Sequence, residues 1–278
     1  MKPFFYPKMK AWISRWALHS HGVTIEPQMD KSIPLSNVEV DTLFLVVPKI
    51  KPSCGPLFFT RSLEKAVGNV TANGSFGLVN TGEKKLLVTC WHVLEEFRNQ
   101  LRDESDLMIC ACLAQSKNPV VLDLKNLIDE DRRFDLATFD MEPMLSVCEG
   151  RVFFTLNCGH IHLVKKGNRL AFVGYPAIHR SETDEGIYFG TTPHVVVAQD
   201  VSDYSLIADT SRVMNVERVL LSERHENPYG GVSGSPCFLV QKNLLVQLVA
   251  FVTEHNKGLQ ILKFTSAKCL NPDGTIKR

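Results

Sequence analysis

The chain has 278 residues, of which 44% are hydrophobic and 22% charged, and its formal net charge is +1. This length can bury the core of one large or two small domains, and the composition excludes a disordered chain. The near-zero charge gives no global field for nucleic acid or an anionic membrane, so neither partner is predicted. No stretch approaches the roughly 20 apolar residues of a spanning helix.

The first 22 residues, MKPFFYPKMKAWISRWALHSHG, are basic and aromatic, with interrupting prolines and lysines. They lack the continuous apolar core of a secretory signal. We interpret residues 1–37 as a short extension that packs on the body of the protein, although a membrane-surface helix over residues 9–18 is conceivable. The extension is also the first candidate surface for a regulatory protein partner.

Eight scattered cysteines, several inside apolar runs, are better interpreted as free buried thiols than as disulfides when no signal peptide is present. This interpretation predicts a cytoplasmic location.

Most of the remaining chain predicts short β-strands separated by Gly, Pro, Asn, Asp and Ser. The first is VEVDTLFLVV (38–47), and the runs 75–80 and 84–91 flank a glycine-containing turn. The apolar spacing in His92–Leu101 predicts a helix, and a weaker helical pattern surrounds residues 124–129. The strand pattern breaks near residues 144–151, which predicts one domain over 38–148 and a second over 149–278.

A serine with close glycines stands in GGVSGSPCF (230–238). Serine needs a base to take its proton and backbone N–H donors for the oxyanion that forms during attack. Gly231 permits a backbone conformation that turns an N–H inward, and Gly234 permits close approach of an acyl group. A glycine-rich turn entering the strand CFLV explains the same residues, so this motif alone leaves the question open.

Two further stretches supply the missing chemistry. In LLVTCWHVLEE (86–96) a strand runs into His92 and then a short helix, which suits a base held at the end of a rigid element. In RRFDLATFD (132–140) Asp135 opens an alternating strand and shares a face with Ala137 and Phe139. A carboxylate facing apolar surroundings needs a polar partner there.

The order His, Asp, Ser discriminates between classes of hydrolase, because unrelated folds build the same triad in different orders. The pattern GVSGSP fails the G-x-S-x-G template of α/β-hydrolases, and no acid motif precedes His92 as the subtilisin order requires.

TCWHV, FDLATF and GVSGSP, spaced by 43 and 98 residues, resemble the chymotrypsin-like (trypsin-like, double β-barrel) serine proteases, in their bacterial and intracellular form. The resemblance covers roughly residues 38–265. It implies an all-β fold of two packed six-stranded antiparallel β-barrels, with His92 and Asp135 in the first and Ser233 in the second. It also implies His92 as general base and acid, Asp135 as the residue that fixes its tautomer, and Ser233 as nucleophile.

The same resemblance implies an oxyanion hole formed by the N–H groups of Gly231 and Ser233. Where secreted members carry an aspartate before the serine, this chain has Val232, so activation by N-terminal cleavage is not expected. The neighbour after the histidine is Val93 rather than cysteine, which agrees with an intracellular form without disulfides.

For the substrate pocket the resemblance implies a base near Asn227 and a wall at Thr253, Glu254 and His255. No aspartate occupies the pocket base, which argues against a strict Lys or Arg preference, although Glu226 and Glu254 keep a basic residue possible.

The predicted function is therefore a serine endopeptidase acting on protein or peptide substrates through an acyl-enzyme, without a cofactor. The alternatives are a catalytically quiet peptide-binding or scaffold protein on the same fold, a partner-activated protease, and an esterase-like hydrolase. The pair His160 and His162 is interpreted as a polar strand face, and no metal is predicted.

Overall fold

The computed structural model describes residues 45–63, 70–113, 119–156, 164–183, 186–210, 214–215, 229–241 and 243–278. The predicted extension (1–37) and the pair His160 and His162 lie outside these residues. The predicted division at residues 148 and 149 stays a prediction. In the described part of the chain, no helix combines the length and the apolar character needed to cross a membrane.

The first sheet contains β1 (Cys54–Thr60), β2 (Val70–Asn80), β3 (Lys85–Thr89), β4 (Met108–Ala111), β5 (Val120–Val121), β6 (Leu127–Asp131), β7 (Leu136–Asp140) and β8 (Phe154–Thr155). Their order is β5-β4-β1-β2-β3-β7-β6, all antiparallel, and β8 pairs with β2 in parallel. The β2–β3 hairpin turns at Gly82, which has φ +97°, while the Thr81 N–H donates to the Lys84 carbonyl.

The second sheet contains β9 (Arg169–Gly174), β12 (Thr192–Val201), β13 (Ser205–Asp209), β14 (Met214–Asn215), β15 (Pro236–Val240), β16 (Val246–Asn256) and β17 (Ile261–Ser266). Six of these strands close on themselves in the order β13-β17-β16-β15-β9-β12, because β12 also pairs with β13. A separate hairpin joins β10 (Arg180–Thr183) to β11 (Gly186–Phe189).

The predicted mostly-β architecture of two sheets is confirmed, but the prediction of two closed six-stranded barrels is wrong in one respect. Only the second sheet closes. Among the described strands, no pairing joins β5 to β6 at the two ends of the first sheet. β5 has two residues, which limits the ladder that it can offer to another strand.

Residues 45–50 are helical and are called α1 here, which corrects the strand predicted over 38–47 where it is described. Val46 and Ile50, spaced as neighbours on one helix face, are fully buried, whereas Leu45 is half exposed. A 3₁₀ turn, Lys51–Ser53, leads from α1 into β1.

The second helix, α2 (Trp91–Asp103), contains the predicted helix His92–Leu101. Val93, Leu94 and Phe97 form its buried face against the first sheet. The weaker helix predicted at residues 124–129 is wrong beyond its first turn. The Asp123 side chain caps a 3₁₀ turn, Leu124–Asn126, and the chain then enters β6.

Three large groups of buried apolar residues, called layers here, hold the described elements together, and a small fourth group surrounds Phe58. One fills the first sheet beneath α2 and another fills the closed barrel. The third lies between the two sheets, where Val88 and Leu136 from the first sheet join Val173 and Phe251 from the second. Successive residues of β7 point to different layers, Leu136 to the junction and Ala137 to the first sheet, as strand geometry requires.

Candidate active site

A strand-to-helix corner positions His92. Cys90 is extended and precedes the first residue of α2, so His92 lies in the first helical turn, where backbone N–H groups lack partners within the helix. Asp135 Oδ1 accepts the His92 backbone N–H at 2.9 Å, and Oδ2 lies 2.7 Å from His92 Nδ1. A carboxylate can only accept, so in the neutral imidazole this contact places the proton on Nδ1 and leaves Nε2 as an acceptor. The Asp135 carboxylate thus accepts a backbone N–H at the start of α2 and also orients the His92 ring.

Asp135 itself lies in a turn, not at the start of the predicted strand, which begins one residue later at Leu136. Its φ of +53° is left-handed, a conformation that aspartate tolerates better than most side chains. Because Asp135 lies in this turn, the alternation of the strand does not decide whether it shares a face with Ala137 and Phe139. Its side chain is 24% exposed and faces His92 instead of the apolar core.

Bonds at both ends hold that turn in place. The Asp131 carboxylate accepts the backbone N–H groups of Arg133 and Phe134 at 2.7 and 3.3 Å. The Phe134 carbonyl accepts the Thr265 hydroxyl of β17 at 2.6 Å, which ties the turn to the second sheet. The position of Asp135 is therefore set from both sheets.

The loop that carries Ser233 turns with two left-handed glycines, Gly231 (φ +95°) and Gly234 (φ +92°). It is anchored to β16, where Gly234 N–H donates to the Val252 carbonyl at 2.8 Å and Val252 N–H donates to the Ser235 carbonyl at 2.9 Å. Val232 is buried and packs against Gly174. Ser233 itself stays partly exposed.

Ser75 of β2 holds the same loop from the first sheet, and sequence reasoning missed it. Its backbone N–H donates to the Ser233 carbonyl, and its hydroxyl donates to the Gly231 carbonyl, both at 2.8 Å. The Ser75 carbonyl accepts the Thr89 hydroxyl at 2.9 Å. Because Ser75 and Gly231 are 156 residues apart, no local pattern could have revealed the contact.

The backbone N–H groups of Gly231 and Ser233 donate to no acceptor among the described residues, whereas those of Val232, Gly234 and Ser235 are all bonded. The carbonyls of Gly231 and Ser233 are both taken by Ser75. Among the described residues, these two backbone N–H groups are the donors of the segment 231–235 without a partner.

A cavity of about 560 Å³ brings these groups together between the two sheets. His92, Asp135 and Ser233 all line it, as does Gly231. Neither the Ser233 hydroxyl nor His92 Nε2 makes a hydrogen bond to another described residue. The further lining side chains are Trp91, Arg132, Arg133, Tyr229 and Lys263.

The predicted pocket residues Thr253, Glu254 and His255 line this same cavity, while Asn227 lies outside the described residues. Thr253 is buried and its hydroxyl donates to the Lys263 carbonyl at 3.2 Å. Glu254 is exposed, 4.0 Å from the Lys263 ammonium group. The His255 ring lies 4.3 Å from that of Tyr229, and burial, with Lys257 nearby, lowers the His255 pKa below its usual value.

Cys90, His92 and Asp135 are the one group of three potential metal-binding side chains found in the described part of the chain, with donor atoms within 4.8 Å of one another. The Cys90 thiol donates to the Val252 carbonyl at 3.2 Å, outside this group. The other two side chains form the His92–Asp135 bond, and burial together with the Asp135 charge raises the Cys90 pKa well above its usual range, which keeps the thiol protonated.

No family model and no curated protein matches this chain. Among solved structures, the chain is similar to one described as a thermostable serine protease AL20 from an extremophilic microorganism. The two are 13% identical with a TM-score of 0.45, and the match covers 77% of this chain and 90% of that chain.

Proposed function

We propose that this protein is a serine endopeptidase of the chymotrypsin-like kind, acting on protein or peptide substrates through an acyl-enzyme. One observation carries the proposal. The His92 ring is oriented by Asp135 at 2.7 Å and lines the same cavity as Ser233, with its Nε2 left as an acceptor.

In the proposed reaction the Ser233 hydroxyl attacks the carbonyl carbon of the scissile bond, and His92 Nε2 takes its proton. Asp135 stabilises the imidazolium that forms. The tetrahedral intermediate collapses as His92 returns the proton to the leaving amine, and water activated by His92 then hydrolyses the Ser233 ester. No cofactor takes part in these steps.

The open N–H groups of Gly231 and Ser233 support their proposed role as the oxyanion hole. Two donors fixed by the loop before reaction would stabilise the developing negative charge without reorganising. The Gly231 and Ser233 N–H groups share peptide planes with the carbonyls of Gly230 and Val232, which accept the backbone N–H groups of Ala177 and Ser235 at 2.8 and 3.0 Å. These two hydrogen bonds favour the present orientation of the peptide planes.

A cytoplasmic location is part of the proposal, supported by seven described cysteines that are all free. For the pocket we propose Thr253, Glu254 and His255 as wall residues and Asn227 near its base. Residues 1–37 remain the proposed contact for a regulatory protein partner.

A second candidate is a peptide-binding protein on this fold without turnover. One observation favours it, because no hydrogen bond joins Ser233 to His92 among the described residues. Such bonds are often long in a site without substrate and tighten when substrate binds, so the endopeptidase remains our first proposal.

Incubation of the full chain with a peptide library derived from whole-proteome digests tests the two candidates. Mass spectrometry would detect new peptide termini. Termini produced by wild type and absent with Ser233→Ala support the endopeptidase. Peptides that bind to both proteins and stay uncleaved would overturn the endopeptidase proposal in favour of the binding protein. Equal cleavage by both proteins would assign the activity to a contaminant.

A further inference from the structure

Cys90 is completely buried at the point where the two sheets meet behind His92. Its Sγ lies 3.2 Å from the carbonyl oxygen of Val252, across the junction in β16. The same carbonyl accepts the Gly234 N–H at 2.8 Å, next to the proposed nucleophile. The thiol therefore touches the anchor of the nucleophile loop.

The other side of the thiol faces the proposed triad. Its sulfur lies within 4.8 Å of the His92 ring nitrogen and of an Asp135 carboxylate oxygen. Thr253, next to Val252 in β16, does not supply a hydroxyl to this carboxylate, because that hydroxyl donates to the Lys263 carbonyl. Cys90 is thus placed as a polar side chain between Asp135 and the Ser233 loop.

We propose that Cys90 is a positioning residue of this site, whose thiol proton is shared between the Asp135 carboxylate and the Val252 carbonyl. This inference rests on the proposed function. The thiol would restrain the carboxylate that orients His92 and would withdraw part of its negative charge. It would also link that carboxylate to the carbonyl that holds the Ser233 loop.

Burial supports this role, since a thiol that stays protonated keeps its S–H donor. Desolvation and the Asp135 charge both raise the pKa of Cys90, so at neutral pH the group donates and does not repel the carboxylate.

Removal of the Cys90 S–H should shift the pH dependence of the reaction in a predictable direction. Without the S–H, the Asp135 carboxylate keeps more of its charge and stabilises the protonated form of His92 more strongly. The neutral ring that the reaction needs then appears only at higher pH. The charged and titratable groups that line the same cavity stay unchanged in the variants: Arg132, Arg133, Tyr229, Glu254, His255 and Lys263.

The test is the rate of covalent labelling of Ser233 by a fluorophosphonate, measured against pH for wild type, Cys90→Ala and Cys90→Ser. This probe requires no knowledge of the substrate. For Cys90→Ala we expect labelling slowed several-fold at neutral pH and an acidic limb moved upward by about half a pH unit, as for loss of a weak hydrogen bond to a charge. Cys90→Ser, which keeps a donor, should lie within about twofold of wild type.

Cys110→Ala is the matched control, because Cys110 is also fully buried but lies in β4, outside the cavity. Its profile should match that of wild type. If Cys90→Ala is unfolded by circular dichroism, Cys90→Val fills the space without a donor and takes its place.

An unmoved acidic limb in the donor-free variant would overturn the inference, and so would an equal shift in Cys110→Ala. Either result would leave the proposed function intact, provided that wild type is labelled at Ser233. Absence of labelling in wild type would overturn both proposals.

Discussion

At the scale of single residues, Asp135 combines two side-chain hydrogen bonds with an unusual backbone conformation. It accepts the backbone N–H of His92, bonds its ring, and adopts a left-handed φ of +53°. Aspartate and asparagine are the non-glycine residues that enter this conformation most readily. The backbone requirement and the chemical requirement can therefore be separated by substitution.

Asp135→Asn should keep the fold and lose the activity. Asparagine tolerates the same φ and still accepts from the His92 N–H, but its amide can favour the wrong imidazole tautomer. We expect a rate loss on the order of 10⁴, as for the same change in a working triad, with a melting temperature close to that of wild type. Asp135→Ala should lose activity and also stability. We expect a cost of about 1–3 kcal/mol in the free energy of unfolding, from the strained backbone and from the lost acceptor for the His92 backbone N–H.

Thermal unfolding and labelling kinetics of the two variants together check this expectation. Activity retained by Asp135→Asn would contradict the proposed role of the carboxylate.

At the scale of elements, the loop before β15 is shaped by contacts from both sheets. Gly234 has φ +92°, and a Cβ there would overlap the Ser75 carbonyl oxygen and crowd the Thr89 hydroxyl. Only glycine fits, because the backbone of β2 passes directly beside it. The position of Ser233 therefore depends on the packing of β2 against the loop.

Gly234→Ala should destabilise the protein strongly and abolish reaction at Ser233. Gly167 is a suitable comparison, because it has φ +89° but no atom lies within 4 Å of the point that a Cβ would occupy there. Gly167→Ala should cost only the strain of a left-handed alanine, about 1–2 kcal/mol. Chemical denaturation of both variants measures the difference. Equal losses in the free energy of unfolding would show that the overlap with Ser75 adds nothing to the cost of Gly234→Ala.

Sequence patterns predicted the elements whose causes are local. The apolar spacing of α2 and the alternation of most strands are properties of neighbouring residues, and the motifs around His92 and Ser233 stand in single short stretches. The positive φ of Asp135 has no such local signal, so the strand was predicted to begin one residue early.

Long-range contacts account for the other differences. Residues 45–47, the start of the helical segment 45–50, were predicted as the end of a strand over 38–47 because they are β-prone. Burial of Val46 and Ile50 at the sheet junction favours the helix. Ser75 and Cys90 act across separations of 156 and 162 residues, beyond the reach of any local pattern.

At the scale of the whole molecule, the cavity exists because two sheets meet. His92 follows β3 and Asp135 precedes β7 of the first sheet, whereas Ser233 precedes β15 of the second. The bonds from Ser75 to the Ser233 loop, from Thr265 to the Asp135 turn and from Cys90 to Val252 all cross this junction. The buried layer between the sheets, which includes Val88 and Phe251, keeps their separation fixed. We infer that this arrangement activates Ser233 as a nucleophile.

Fluorophosphonate labelling of the full chain, with the modified residue identified by mass spectrometry, tests the activation of Ser233 without any substrate. Ser235→Ala is the matched control, since Ser235 is a buried serine two residues away that does not line the cavity. We predict labelling of Ser233 in wild type and in Ser235→Ala, and none in Ser233→Ala or His92→Ala. A folded wild-type protein that stays unlabelled, or one whose labelling survives His92→Ala, would contradict the inference.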